Sequence, residues 1–437
     1  MSNPPRVRHI SECFIKPQHA LEESKRPFYL TPWDLNLLNA NYIQKGLLFT
    51  KSPAADDRED SIKTLLGRLK RSLSVTLVDF YPLAGRLVTK KGENPPSCLI
   101  SVDCAGGPGA RFIHAALDMT ISDILSPVDV PSVVQSFFDH DRALNYDGQT
   151  MPLLSIQVTE LEDGIFLGCS MNHCIADGTS YWHFFNTWSE IFQAEGHNIS
   201  VTRPPILDRW FPEGYGPIIN LPFTDQDEFI SRIEAPKLRD RMFHFTSESI
   251  ARLKANANAE YNTNEISSFQ SLSALVWRCI TRARRLPMIR LLWELASMVA
   301  GVATAGELFE QSLGWAAWQL HQAVVNHTDK MVCEFLDAWL QSPSVSRVGR
   351  FLDQYSVRIG SSPRFNMYGN EFGMGKAVAL RSGFANKLNG TVSSYPGYEG
   401  GGSIDLEVCL PPDSMSVLES DEEFMDAVSV SHSDLYL

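Results

Sequence analysis

The sequence predicts an α/β protein with α+β layering: mixed sheets flanked by helices, divided into two domains. Three observations predict it. Short strand-like runs alternate with amphipathic helices in both halves. A stretch rich in Pro and Gly separates the halves. The 437 residues, 44% of them apolar, can fill more than one core. The expected division is an N-terminal domain over 1–200, a crossover over 201–235 and a C-terminal domain over 236–437.

Each element has a local cause. Ile62, Leu65, Leu66, Leu69 and Leu73 fall at helical spacing, and Tyr81-Pro-Leu-Ala-Gly-Arg86 then breaks the helix with Pro and Gly. From Gly164 to Met171 a strand alternates, with Ile165, Leu167, Cys169 and Met171 on one side. Gly178 to Ala194 reads as a helix rich in aromatic residues. Residues 203–223 carry too much Pro and Gly for regular structure and read as the crossover. A strand is expected around Met242–Phe245. Ser267-Ser-Phe-Gln270 then opens a helix with a capping box, and Phe269, Leu272, Leu275, Val276 and Cys279 form its apolar stripe. A long helical region is expected from about Gly306 to Gln341, followed by glycine-rich strands and turns.

Composition excludes several classes of function. A net charge of −13 argues against a general grip on nucleic acid or on an anionic membrane, so a polyanionic ligand needs a local basic patch. The first residues lack the apolar core of a signal peptide, and no run reaches the ~20 apolar residues that span a bilayer. Eight cysteines without a CxxC pair read as reduced thiols, with neither a disulfide scaffold nor a zinc site. The expectation is a cytoplasmic, monomeric enzyme.

The chemistry centres on His173-Cys-Ile-Ala-Asp177-Gly178, where the alternating strand meets the aromatic helix. An imidazole held there projects from a rigid scaffold, and its ordinary pKa near 6.5 suits proton removal from a hydroxyl or amine. The pattern alone is weak, since His114-Ala-Ala-Leu-Asp118 also matches. That second match is taken as a decoy because no glycine follows it. Read without context, His173 is equally a hydrogen-bonded core histidine, and Asp177 is a helix N-cap bonding the Ser180 N–H. Cys174 is not taken as a nucleophile, because neighbouring strand residues point to opposite faces.

Several motifs in order resemble the plant BAHD acyltransferases. The family's His-x-x-x-Asp-Gly matches His173 to Gly178, and its Tyr-Pro-x-Ala-Gly-Arg matches Tyr81 to Arg86. Leu30-Thr-Pro-Trp-Asp34 and the Ser267 to Arg278 helix are similar to family features. The late Asp-Phe-Gly-Trp-Gly signature appears altered as Glu371-Phe372-Gly373-Met374-Gly375, a variant that marks a poorly characterised branch. The resemblance implies a two-domain fold like chloramphenicol acetyltransferase, with the active site in a channel between domains. It implies an acyl-CoA co-substrate, a small-molecule acceptor, no permanently bound cofactor and no metal. His173 is the implied general base and Asp177 an orienting residue. Ser267, Ser268, Arg278 and Arg282 are candidate coenzyme A contacts, Ser361 and Ser362 candidate oxyanion or channel residues, and Glu371 to Gly375 a structural loop.

The sequence departs from the family between Arg285 and Ala303, where a longer stretch containing Tyr-Phe-Gly-Asn is replaced by Leu286-Pro-Met-Ile-Arg290 and the residues to Val299. The lost piece includes the arginine expected to pair with Asp177, and Arg290 is the substitute candidate. The ending from Val428 also differs. These departures keep two other functions in view: a BAHD-fold lyase acting on a chorismate-derived conjugate in salicylate formation, and an inactive or ligand-binding variant.

Overall fold

A computed structural model describes residues 5–51, 58–194, 201–232, 234, 237–285, 299–346, 355–385 and 387–429, and the backbone alone of 290–295. The chain opens with strand β1 (Arg8–Ile15), β2 (Phe28–Tyr29), helix α1 (Pro32–Asn36), β3 (Ile43–Thr50) and α2 (Arg58–Asp79). Then follow β4 (Arg86–Glu93), β5 (Pro96–Asp103), β6 (Ala110–Ala116), α3 (Ile121–Leu125), β7 (Leu154–Glu160), β8 (Gly164–Met171) and α4 (Gly178–Gln193). After the crossover, which carries β9 (Asn220–Leu221), come β10 (Arg239–Phe245), α5 (Ser247–Glu260), α6 (Ser268–Ala283), β11 (Arg290–Leu295) and β12 (Val299–Thr304). The helices α7 (Ala305–Glu310), α8 (Leu313–Asn326) and α9 (Asp329–Gln341) lead to β13 (Val357–Gly360), β14 (Ala379–Ser382), β15 (Thr391–Pro396) and β16 (Ile404–Leu410). Two short helices, α10 (Pro412–Leu418) and α11 (Glu422–Ala427), complete the described chain.

The strands form two six-stranded sheets, in the orders β1-β6-β7-β8-β3-β14 and β10-β16-β15-β13-β11-β12, and a smaller sheet β2-β5-β4 with β9 on β5. Parallel pairing is confined to β6 with β7 and to β13 with β15 and β11. The mixed sheets flanked by helices match the α/β expectation. One strand crosses between the halves: β14, from the C-terminal half, pairs antiparallel with β3. Met367, Phe372, Ala377 and Leu380 accordingly sit in the N-terminal core beside α2 and α4, so the boundary placed at 236 divides the sequence more cleanly than it divides the packing.

β8 is buried along its whole length, because α2 and α4 cover one face and the 132–138 turn covers the other. That is why it carries apolar or small residues at every position rather than strict alternation. α4 is buried at Tyr181, Trp182, Phe184, Phe185, Trp188, Ile191 and Phe192, which makes it a core helix rather than an amphipathic surface one. The helical region expected over 306–341 is three helices. Ser312 stops the first run by capping α8, accepting from the Trp315 N–H at 3.1 Å, and Thr328 occupies the N-cap of α9. Serine and threonine at these junctions favour a new start over a continued turn.

A largely buried charged cluster joins the two large sheets. Lys45 on β3 donates to the Tyr395 hydroxyl at 2.7 Å, and that hydroxyl donates to Glu407 Oε2 at 2.8 Å. Lys387 donates to Glu407 Oε1 at 2.9 Å and to Asp240 on β10 at 2.8 Å. Ser382 on β14 donates to the same Glu407 carboxylate.

Candidate active site at the β8–α4 junction

The His173 motif lies where β8 ends and α4 begins. Asp177 is the N-cap of α4: its backbone is extended, and its side chain accepts from the Ser180 N–H at 2.7 Å. This is the capping arrangement expected from the sequence. Asp177 is exposed, and among the described residues it has no ion-pair partner. The side chain of Arg290, the substitute partner proposed from the sequence, lies outside the described residues. Asp177→Asn keeps a capping oxygen and loses only charge near the helix N-terminus. It is therefore expected to cost less than about 1 kcal/mol by urea unfolding. A loss of several kcal/mol would instead reveal a cation held by this carboxylate.

His173 is half-buried. Its Nδ1 is buried and has no hydrogen-bond partner among the described residues. Burial holds the imidazole below the ordinary histidine range, against the opposing influence of its own carbonyl, the Asp177 carboxylate and the Ala176 carbonyl. An imidazole kept neutral at pH 7 is what a proton acceptor needs. Its main chain is fixed more firmly than its ring. The His173 N–H donates to Asn145 Oδ1 at 2.7 Å, Asn172 Nδ2 donates to the Asn145 carbonyl at 2.8 Å, and the Cys174 N–H donates to Asn172 Oδ1 at 3.0 Å. Cys174 is fully buried, which pushes its thiol well above the ordinary range.

The other sequence candidates fall in separate places. His114 lies on β6, its Nε2 bonded to Glu160 at 2.7 Å. Ser361 follows β13 with φ of 67°, a left-handed conformation that is strained for a non-glycine residue. Ser362 Oγ accepts from the Arg364 N–H at 3.3 Å. This turn is tied to the motif by Phe365: a Cβ added at Gly178 would meet the Phe365 ring at 3.3 Å. Gly178 thus allows the segment carrying Ser361 and Ser362 to lie against the start of α4.

The Glu371–Gly375 loop docks farther along the same helix. The Phe372 ring is fully buried and lies 5.4 Å from Phe185, 4.7 Å from Trp188 and 5.7 Å from Phe192, centroid to centroid. The turn closes with the Met374 N–H donating to the Glu371 carbonyl at 2.8 Å, and Gly373 and Gly375 have φ of 71° and 80°, which glycine adopts without strain. The loop anchors α4 from behind, as a structural element would.

The coenzyme A candidates on α6 do not form one site. Ser267 and Ser268 open the helix, and Ser267 Oγ and Gln270 Oε1 are engaged in the expected reciprocal cap. Arg278 and Arg282 lie toward its other end, roughly 15–20 Å along the axis. Arg282 bonds the carboxylates of Asp421 at 2.5 Å and Glu423 at 2.6 Å, and Arg278 reaches the Gln311 carbonyl and Glu423. These guanidinium groups pin α11 to α6, so a phosphate would have to displace them from an ion pair. Cys279, Asp421 and Glu423 also approach one another as metal ligands could, but Arg282 and Arg278 together already supply the counter-charge for the two carboxylates.

Comparison with known proteins places the chain. The sequence model of the Transferase family matches residues 6–291 and 294–425, and the chain belongs to that family. An uncharacterized acetyltransferase of Arabidopsis thaliana is 34% identical over 448 aligned positions, covering 96% of this chain and 99% of the relative. The BAHD acyltransferase DCR of the same plant is 30% identical, covering 96% and 92%. Shikimate O-hydroxycinnamoyltransferase of Nicotiana tabacum is 27% identical, covering 80% and 86%. Within the family, then, the chain is a plant BAHD acyltransferase. Its fold is that of vinorine synthase, with a TM-score of 0.73, 18% identity and coverage of 98% of this chain and 100% of the other. TRI101 of F. sporotrichioides, in complex with coenzyme A and T-2, matches with a TM-score of 0.70 and 18% identity over 92% and 99%. The family match breaks at 292–293, inside the segment that departs from the family pattern.

Asn145 and Asn172 were not legible from the sequence. Asn172 adjoins the motif, but Asn145 approaches it from 28 residues earlier in the chain, and no local pattern points to it.

Proposed function

We propose that the protein transfers an acyl group from a coenzyme A thioester to a hydroxyl or amine of a small plant specialised metabolite, with His173 as general base. The observation that carries this reading is a half-buried imidazole, kept neutral by burial, at the end of β8, in a chain of this family. Nε2 takes the proton of the acceptor as its oxygen or nitrogen attacks the thioester carbonyl. The tetrahedral oxyanion then collapses, the carbon–sulfur bond breaks, and the proton leaves with the coenzyme A thiolate. Ser361 and Ser362 are the proposed oxyanion and channel donors, supported by the contact of the following Phe365 with Gly178 at the start of α4. Asp177 orients the junction as a cap. The N-terminus of α6 at Ser267 and Ser268 offers backbone N–H groups and the positive end of the helix dipole to an anion, whereas Arg278 and Arg282 are held by acids. Coenzyme A in the TRI101 complexes and the hydroxycinnamoyltransferase names among the relatives choose the first donors to try. A cytoplasmic monomer is the working form proposed. The relatives that are named for an activity carry acyltransferase names, so the lyase reading is not taken further.

Calorimetry with coenzyme A, acetyl-CoA, benzoyl-CoA and a hydroxycinnamoyl-CoA tests the reading. Binding is expected despite the net charge of −13, and it should weaken as salt is raised, because local cations must hold the phosphates. A folded sample that gives no heat with any of the four would sink the proposal.

A further inference from the structure

We propose that Asn145 is a positioning residue for the reaction, holding His173 in place through its backbone; this rests on the acyltransfer reading of His173. Asn145 is fully buried, on the turn after Leu144 that precedes β7, and both ends of its side-chain amide are in use. Oδ1 accepts from the His173 N–H at 2.7 Å, while Nδ2 donates to the Leu37 carbonyl at 2.7 Å. Its main chain is engaged as well: its N–H donates to the Ala40 carbonyl at 2.8 Å, and its carbonyl accepts from Asn172 Nδ2 at 2.8 Å.

Asn172 completes the clamp. It too is fully buried, its N–H donates to the Leu153 carbonyl at 2.8 Å, and its Oδ1 accepts from the Cys174 N–H. The two asparagines therefore secure the N–H groups on either side of the His173 peptide and tie them to the 37–40 loop behind α1. The Gly148 backbone lies close against this clamp, since a Cβ there would meet Asn172 Nδ2 at 2.9 Å and Leu153 at 2.6 Å. The groups that act on the His173 ring against burial are main-chain carbonyls, its own and that of Ala176, besides the Asp177 carboxylate, and no side chain pairs with Nδ1 among the described residues. Its placement consequently depends on the main chain that carries it, in contrast to the usual arrangement in which a second group orients a catalytic imidazole through its other nitrogen. An amide is the group suited to this task. It offers an acceptor and a donor in one plane without adding charge beside the base, whereas a carboxylate would oppose the Leu37 carbonyl and a hydroxyl would be too short to reach both partners.

Two measurements test the inference. The first follows the imidazole resonances of histidine-labelled protein through a pH titration, with the His173 signal assigned by its loss in His173→Ala. That assignment is needed because burial also holds His140 low. In Asn145→Ala the His173 midpoint is expected to move up toward the ordinary histidine value as the ring gains solvent, while calorimetric affinity for coenzyme A stays within about twofold. An unchanged midpoint in folded Asn145→Ala would overturn the inference, because general destabilisation does not move a titration within the folded state. The second uses the unmodified protein: the His173 and Cys174 amides are expected to exchange with solvent as slowly as those of β8. Exchange of the His173 amide as fast as that of an exposed loop would also overturn it. The two readings fail separately. If His173→Ala retains full acyl transfer to a probe alcohol, the acyltransfer role of His173 fails; if that variant is inactive and the Asn145 measurements come out flat, only the clamp fails.

Discussion

His173→Ala is expected to lower acyl transfer by ~10²–10⁴, the usual contribution of a positioned general base. Affinity for the acyl-CoA donor should change little, because the imidazole acts on the proton of the acceptor and its contribution appears in turnover. His114→Ala supplies the control. Its ring is engaged with Glu160 on the neighbouring strand at 2.7 Å, so the variant should keep nearly full turnover and lose only that hydrogen bond. Steady-state rates with a hydroxycinnamoyl-CoA and an accepted alcohol separate the two. Equal losses would show that the His-x-x-x-Asp of β6 had been dismissed wrongly.

The largest effect on stability is expected at Glu407. This carboxylate is fully buried and accepts from Tyr395, Lys387 and Ser382, with Lys45 one hydroxyl away. Two ammonium groups and the carboxylates of Glu407 and Asp240 balance there. Glu407→Gln would leave a surplus positive charge in the core and aim an amide N–H at groups that already donate. A loss on the order of 3–5 kcal/mol is expected by urea unfolding, as when one partner is removed from a buried pair. Glu407→Gln with Lys45→Met should recover part of it, since the two sites share a partner and are not additive.

The pH dependence follows from the same cluster. Burial alone would raise the Glu407 carboxyl, but Lys387 and Lys45 outweigh it and hold it down at about 2. Its stabilisation is therefore fully present above the ordinary glutamate value and lost as the pH falls through that value toward 2. Lys45 acts at the other end of the scale. Burial lowers it to about 8 despite Glu407, so the folded state resists its charge, and stability from this group increases as the pH rises from about 8 to the ordinary lysine value.

The parts of the fold legible in the sequence were those with local causes. The cap at Asp177 and the reciprocal cap at Ser267 and Gln270 are set within three residues, and β8 has the bounds its apolar run implies. What escaped were groups whose meaning depends on distant partners. Lys45, Lys387 and Glu407 look like surface residues in a linear reading, because lysine and glutamate are rarely buried unless paired. Their pairing joins strands from opposite ends of the chain. The arginines of α6 were read as a patch open to phosphate, whereas Asp421 and Glu423, far along the sequence, hold Arg282. At the site, His173 and Asp177 were visible through the motif, while Asn145 was not, since its contact is made in space alone.

The pairing of β14 with β3 bears on the order in which the protein can be made. Ala379 to Ser382 close the edge of a sheet whose other strands all emerge in the first half of translation. Until those last residues leave the ribosome, β3 presents unpaired N–H and C=O groups along a strand that is buried on both faces in the finished fold, a template for misdirected pairing. Phe372, which fills the aromatic cavity behind α4, arrives just as late. The nascent N-terminal half therefore waits, with an open edge and an unfilled core, for most of the chain to be synthesised, and its contacts of long sequence separation favour slow, late consolidation. Chaperone demand during synthesis is built into this topology, and the His173 junction takes its final form only near the end of translation.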